Sequence, residues 1–132
     1  MKPLIVDTSV WIDWLRGNRS ELRDEARGRV MFLPAVVAME LSSGAQTKKS
    51  FQIITNLIET FERNRRVLLP TLEDFLSAGS VLSDLGWSAS KKSNDVLISV
   101  LARKIGAEIW TCDYSDFSPV AENLRIGVRK II

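Results

Sequence analysis

Leu4-Ile5-Val6-Asp7-Thr8-Ser9 is a short apolar run that ends on a carboxylate and passes at once into two hydroxyl residues. Its length and its β-branched Ile5 and Val6 predict a buried strand over residues 2–6. Thr8 or Asp7 caps the helix that follows, in which Val10, Trp11, Trp14 and Leu15 recur at helical spacing. Gly17 and Asn18 end that helix, and both tryptophans read as core. In an open α/β sheet, ligands bind in the crevice outside the carboxyl ends of the strands. Asp7 is therefore either a helix cap or a residue of such a crevice.

The same alternation continues outward. Residues 19–29 are polar and basic, either a second short helix or a loop. Val30-Met31-Phe32-Leu33 is a second short strand, and Pro34 stands where a helix start tolerates proline. The run from Ala35 to Ala45 predicts a helix with a single charge, Glu40, in an apolar setting. A carboxylate there is costly unless it reaches water, a cation or a donor. Phe51, Ile54, Leu57, Ile58 and Phe61 predict an amphipathic helix over 49–62, antiparallel to the one before it. Val67-Leu68-Leu69 is a third strand. Thr71 caps the next helix, whose expected apolar face is Phe75, Leu76, Gly79, Leu82 and Leu85. Residues 87–93 read as a polar loop, and a helix follows from Asn94 to Lys104 with Asp95 in its first turn. Glu108-Ile109-Trp110-Thr111 is a fourth strand that also leads to an acid, Asp113, with Asp116 three residues on. A helical turn over 119–123 and a weak strand over 124–128 complete the chain. Strands alternating with helices predict a doubly wound α/β fold, its mostly parallel central sheet flanked by helices. With no repeat or linker, residues 1–132 are expected to form one domain.

The composition narrows the chemistry. Hydrophobic content of 45% and charged content of 26% are ordinary for a globular protein. No apolar run is long enough to span a bilayer, no signal peptide is read, and the lone cysteine fits a reducing compartment, so a cytoplasmic location is expected. A net charge of +2 does not by itself mark a nucleic-acid binder. The decisive count is zero histidine. It removes Ser-His-Asp and Cys-His nucleophile schemes and the common zinc sites. Carboxylates are left to carry any catalysis, and a cluster of them suggests a hard cation such as magnesium or manganese.

Asp7 and Asp113 each follow a strand, and on central parallel strands both lie at one edge of the sheet. Glu40 and Asp95 sit on helices whose ends approach that edge. Each acid also has a bland reading: Asp7 as a cap, Asp95 as a partner of the helix dipole, Glu40 reaching solvent, Asp113 or Asp116 as turn residues.

Four blocks, in this order, carry a resemblance: Val6-Asp7-Thr8-Ser9-Val10-Trp11, Met39-Glu40-Leu41-Ser42-Ser43-Gly44-Ala45, Asn94-Asp95-Val96-Leu97-Ile98 and Thr111-Cys112-Asp113-Tyr114-Ser115-Asp116-Phe117. The chain resembles PIN-domain ribonucleases, and among them the VapC-type toxins of toxin–antitoxin pairs. The resemblance implies that Asp7, Glu40, Asp95 and Asp113 bind Mg2+ or Mn2+, with Asp116 supplying or replacing the last. Ser9 and Thr111 match supporting hydroxyl positions. It also implies hydrolysis of RNA leaving a 5′-phosphate, inhibition by a cognate antitoxin, and a homodimer. Lys48, Lys49, Lys91 and Lys92 are candidate contacts to the RNA backbone. The rival readings are a metal-dependent DNA nuclease, a phosphatase, and a non-catalytic RNA- or protein-binding module on the same fold. Ser9 stands where a haloacid-dehalogenase-type phosphatase would need its second acid, which argues against that rival.

Overall fold

The structure, a computed structural model, describes residues 2–87 and 89–131, with the side chains of residues 89–91 outside that description. Strand β1 (Pro3–Val6) leads into helices α1 (Thr8–Leu15) and α2 (Ser20–Arg27). Then come β2 (Val30–Pro34), α3 (Ala35–Ser43), α4 (Lys48–Arg63) and β3 (Val67–Leu68). Helices α5 (Leu72–Leu85) and α6 (Ala89–Ile105) precede β4 (Glu108–Thr111), α7 (Tyr114–Leu124) and β5 (Val128–Lys130).

The five strands form one sheet in the order β3-β2-β1-β4-β5, and every pairing is parallel. The chain winds outward from β1 through β2 to β3, then returns to the other side of β1 for β4 and β5. The reversal falls between β1 and β4, and a doubly wound sheet opens its crevice at such a point. Val6 pairs with Trp110, and the Asp7 N–H donates to the Trp110 carbonyl at 2.9 Å, which fixes the two strand ends side by side. Leu4, Ile5, Val6, Ile109 and Trp110 are buried, as expected for central strands covered on both faces. Trp11 and Trp14 are core as expected; Trp11 stands edge-on to Trp14 and to Phe61, with ring centroids 5.3 and 5.9 Å away.

The sheet is more regular than the sequence implies, and several helices differ from expectation. Residues 20–27 form the helix that was one of two readings. Helix α5 buries Asp74, Ala78, Val81 and Leu82, while Phe75, Leu76 and Gly79 face outward. Its two faces are both apolar. On the face that packs, the Asp74 carboxylate takes the Thr71 N–H at 2.8 Å in a capping box and pairs with Lys104 at 3.2 Å. Helix α6 begins at Ala89, so most of the expected polar loop is helical and Asp95 lies beyond the first turn. Helix α7 runs through Pro119, because burying Phe117, Val120, Ala121 and Leu124 outweighs one lost backbone bond. Leu124 therefore ends a helix, and the last strand starts at Val128 instead. Among the described residues, no helix is long and apolar enough to cross a membrane.

Candidate active site

Asp7 stands at the N-cap position of α1 and makes no side-chain capping bond, so the cap reading does not account for it. Its side chain turns across the strand ends instead. Asp7 Oδ2 accepts from Ser9 Oγ at 3.0 Å and from Thr111 Oγ1 at 2.9 Å. Both hydroxyls are themselves anchored to the backbone just after β4. Ser9 Oγ takes the Cys112 N–H at 3.1 Å, and Thr111 Oγ1 takes the Asp113 N–H at 2.9 Å. Thr111 is fully buried and Asp7 is only 5% exposed. Burial pushes the Asp7 carboxyl up, the two hydroxyls and the Thr8 backbone pull it down, and the Asp113 charge adds to the rise; the net direction is upward.

The other acids arrive from the flanking helices. Glu40, half-buried on α3, accepts from Thr8 Oγ1 at 2.8 Å. Its carboxyl is raised by burial and by Asp7, against hydrogen bonds from Thr8 and Asn94. Asp95 on α6 is the most perturbed: burial first, then repulsion from Asp7, Asp116 and Glu40, push its carboxyl up to about 7 despite Lys92. Asp113 is exposed at the start of α7, and Asp116 forms an ion pair with Lys92. The Lys92 ammonium is held above its usual range, first by that hydrogen bond and further by the charges of Asp95 and Asp113. The crevice between β1 and β4 thus gathers Asp7, Glu40, Asp95, Asp113 and Asp116 in one electrostatic field.

The Asp7, Glu40 and Asp116 carboxylates are each turned onto a partner within the protein. Among the described residues, no three acid or cysteine side chains already stand close enough together to hold an ion. The donor set nevertheless fits a hard divalent cation: it is all carboxylate oxygen, and three acids whose charged forms are disfavoured by burial and one another would be relieved by positive charge.

The lysines separate. Lys92 lies in the site, whereas Lys48 and Lys49 are exposed at the start of α4; the side chain of Lys91 lies outside the described residues. Beside Glu40 runs a groove of about 320 Å³, lined by Ile12, Leu15, Arg16, Leu41, Ile53 and Ile54 among others. Two contributors were not singled out from sequence: Thr8, read only as a possible cap, and Asn94. Both are polar side chains directly beside a candidate acid, and that adjacency is the signal that could have found them.

The crevice at the β1–β4 reversal, filled with carboxylates, defines an acid-centred doubly wound α/β domain. The model of the PIN domain family matches residues 4–123, and the chain belongs to that family. No curated protein matches the chain. Among solved structures, it is similar to a chain of DNA-bound VapBC from Salmonella typhimurium, at 19% identity and a TM-score of 0.72 with 98% of each chain covered. It is also similar to VapBC-1 from nontypeable Haemophilus influenzae, at 22% identity and a TM-score of 0.70 with 97% of each chain covered. FitAcB from Neisseria gonorrhoeae gives 18% identity and a TM-score of 0.66 with 95% of each chain covered. At these identities the likeness is one of fold.

Proposed function

We propose that this chain is a divalent-metal-dependent endoribonuclease toxin of the VapC type, with Asp7, Glu40, Asp95 and Asp113 as its metal-holding acids. The observation that carries this reading is the gathering of acids at the β1–β4 reversal, where Ser9 and Thr111 fix Asp7 and where burial and the charges of Asp7, Asp116 and Glu40 push the Asp95 carboxyl up. Such crowding is unfavourable in the protein alone and fits a site built for a cation and a phosphate.

A divalent ion bound there would activate water and offset the charge that develops on the phosphate. The chain's own residues do the rest. Ser9 at the start of α1 and Thr111 at the end of β4 fix the Asp7 carboxylate. Thr8 and Asn94 orient Glu40. A side chain held by such partners loses little freedom when it engages a ligand. With zero histidine, no imidazole competes as general base.

The partners belong to the same reading. VapBC and FitAcB pair this fold with a second protein in their names, and an antitoxin segment with apolar side chains and an acidic group would suit the groove of Ile12, Leu15 and Arg16 beside Glu40. A homodimer would cover the outward face of α5, where Leu72, Phe75 and Leu76 are more than half exposed at helical spacing. The direct test is incubation of RNA with purified protein in Mg2+ and in excess EDTA. Cleavage in Mg2+ that stops in EDTA supports the reading; no cleavage in either favours a non-catalytic module, and cleavage of DNA alone favours the DNA nuclease.

A further inference from the structure

We propose that Lys92 acts as the second cation of this active site: its ammonium, positioned by Asp116, meets the scissile phosphate directly, and each chain holds one metal ion and not two. The inference rests on the proposed phosphodiester hydrolysis.

The acids of the crevice fall into two sets. Asp7, Glu40, Asp95 and Asp113 have no ammonium or guanidinium bonded to any of them among the described residues. Asp116 is different, because its Oδ1 is bonded to Lys92 Nζ. Lys92 lies three residues before Asp95 on α6, so both side chains leave the same face of the helix. On its other side the ammonium lies 5.7 Å from the centroid of the Trp87 ring, which confines it further.

A merely structural role explains this pair poorly. The Lys92 and Asp116 side chains are 31% and 38% exposed, and ion pairs so open to water contribute little to stability. What the pair does achieve is to hold a positive charge at the mouth of an otherwise acidic crevice. An ammonium has three donors, and Asp116 uses one, so others remain for phosphate oxygens. In two-metal sites the second ion supplies this charge. Here the position of a second ion beside Asp116 is already taken by a covalently tethered cation, and Asp116 is a positioning residue, not a metal ligand.

Two measurements test this. Calorimetric titration with Mn2+ should give one ion per chain in the wild type, with Asp116→Asn unchanged in stoichiometry. In the cleavage-impaired Asp7→Asn background, Lys92→Met should weaken binding of a fluorescein-labelled single-stranded RNA about tenfold and lower the salt dependence by about one counterion, with Lys92→Arg restoring both. Two Mn2+ ions per wild-type chain, one of them lost in Asp116→Asn, would overturn the proposal. So would RNA affinity and salt slope that ignore Lys92→Met while the wild type cuts RNA. A wild type that neither cuts RNA nor takes up Mn2+ overturns the nuclease reading itself, and this inference with it.

Discussion

The Thr111 hydroxyl at the end of β4 donates to Asp7 Oδ2 at the end of β1, 2.9 Å away and 104 residues distant in the chain. The same hydroxyl accepts the Asp113 N–H, so one buried side chain ties two candidate metal ligands together. Replacing it with valine keeps the shape and removes the bond. Thr111→Val should lower RNA cleavage by about ten- to a hundredfold, the usual cost of losing a group that orients a metal ligand. Thr111→Ser should recover most of the loss. Cleavage rates under matched Mg2+ decide it; a valine variant within about twofold of the parent would remove Thr111 from the site.

The raised carboxyls of Asp7, Glu40 and Asp95 make the metal-free protein sensitive to pH. Between the ordinary carboxylate range and about 7, the value for Asp95, the folded chain binds more protons than the unfolded one. The contribution of each is complete below the ordinary carboxylate range and is lost as pH rises through its raised folded value, which for Asp95 is about 7. In EDTA the melting temperature should therefore be several degrees lower at about pH 8 than at about pH 5.5, and Mn2+ should raise it more at the higher pH. Differential scanning calorimetry gives the comparison. A metal-free protein more stable at the higher pH would contradict the crowding.

Helix α5 presents Leu72, Phe75 and Leu76 at 73%, 55% and 65% exposure. A charge introduced there should leave the fold intact, since the packed face holds Ala78, Val81 and Leu82. Phe75→Glu combined with Leu76→Glu should convert a dimer to a monomer in sedimentation equilibrium. An unchanged mass for the variant would move the interface elsewhere.

Much of this was legible in the sequence because strand periodicity and punctuation are local. The run Leu4–Val6, the cap at Thr71, and the acids after β1 and β4 each declare themselves within a few residues. The order β3-β2-β1-β4-β5 then brings Asp7 beside Thr111. Less legible were choices made by tertiary packing. Phe75 and Leu76 read as core, but α5 turns Asp74, Ala78, Val81 and Leu82 inward, and with both faces apolar the pattern alone does not choose between them. The early start of α6 was hidden because Ser, Lys and Asn suit loops as well as exposed helix turns. The ion pair of Asp116 with Lys92 was hidden too, because Lys92 sits on a different helix 24 residues from Asp116. No spacing rule reports that pairing.

The central claim is that Asp7 anchors a metal-dependent nuclease site. Its most direct test is Asp7→Asn, measured for RNA cleavage, Mn2+ binding and thermal stability in one set of experiments. The expected result is a folded variant that cuts no RNA, takes up Mn2+ far more weakly, and melts no lower than the parent in EDTA, because a buried repelling carboxylate has been neutralised. An Asp7→Asn variant that cleaves RNA at the parental rate with parental Mn2+ affinity would contradict it.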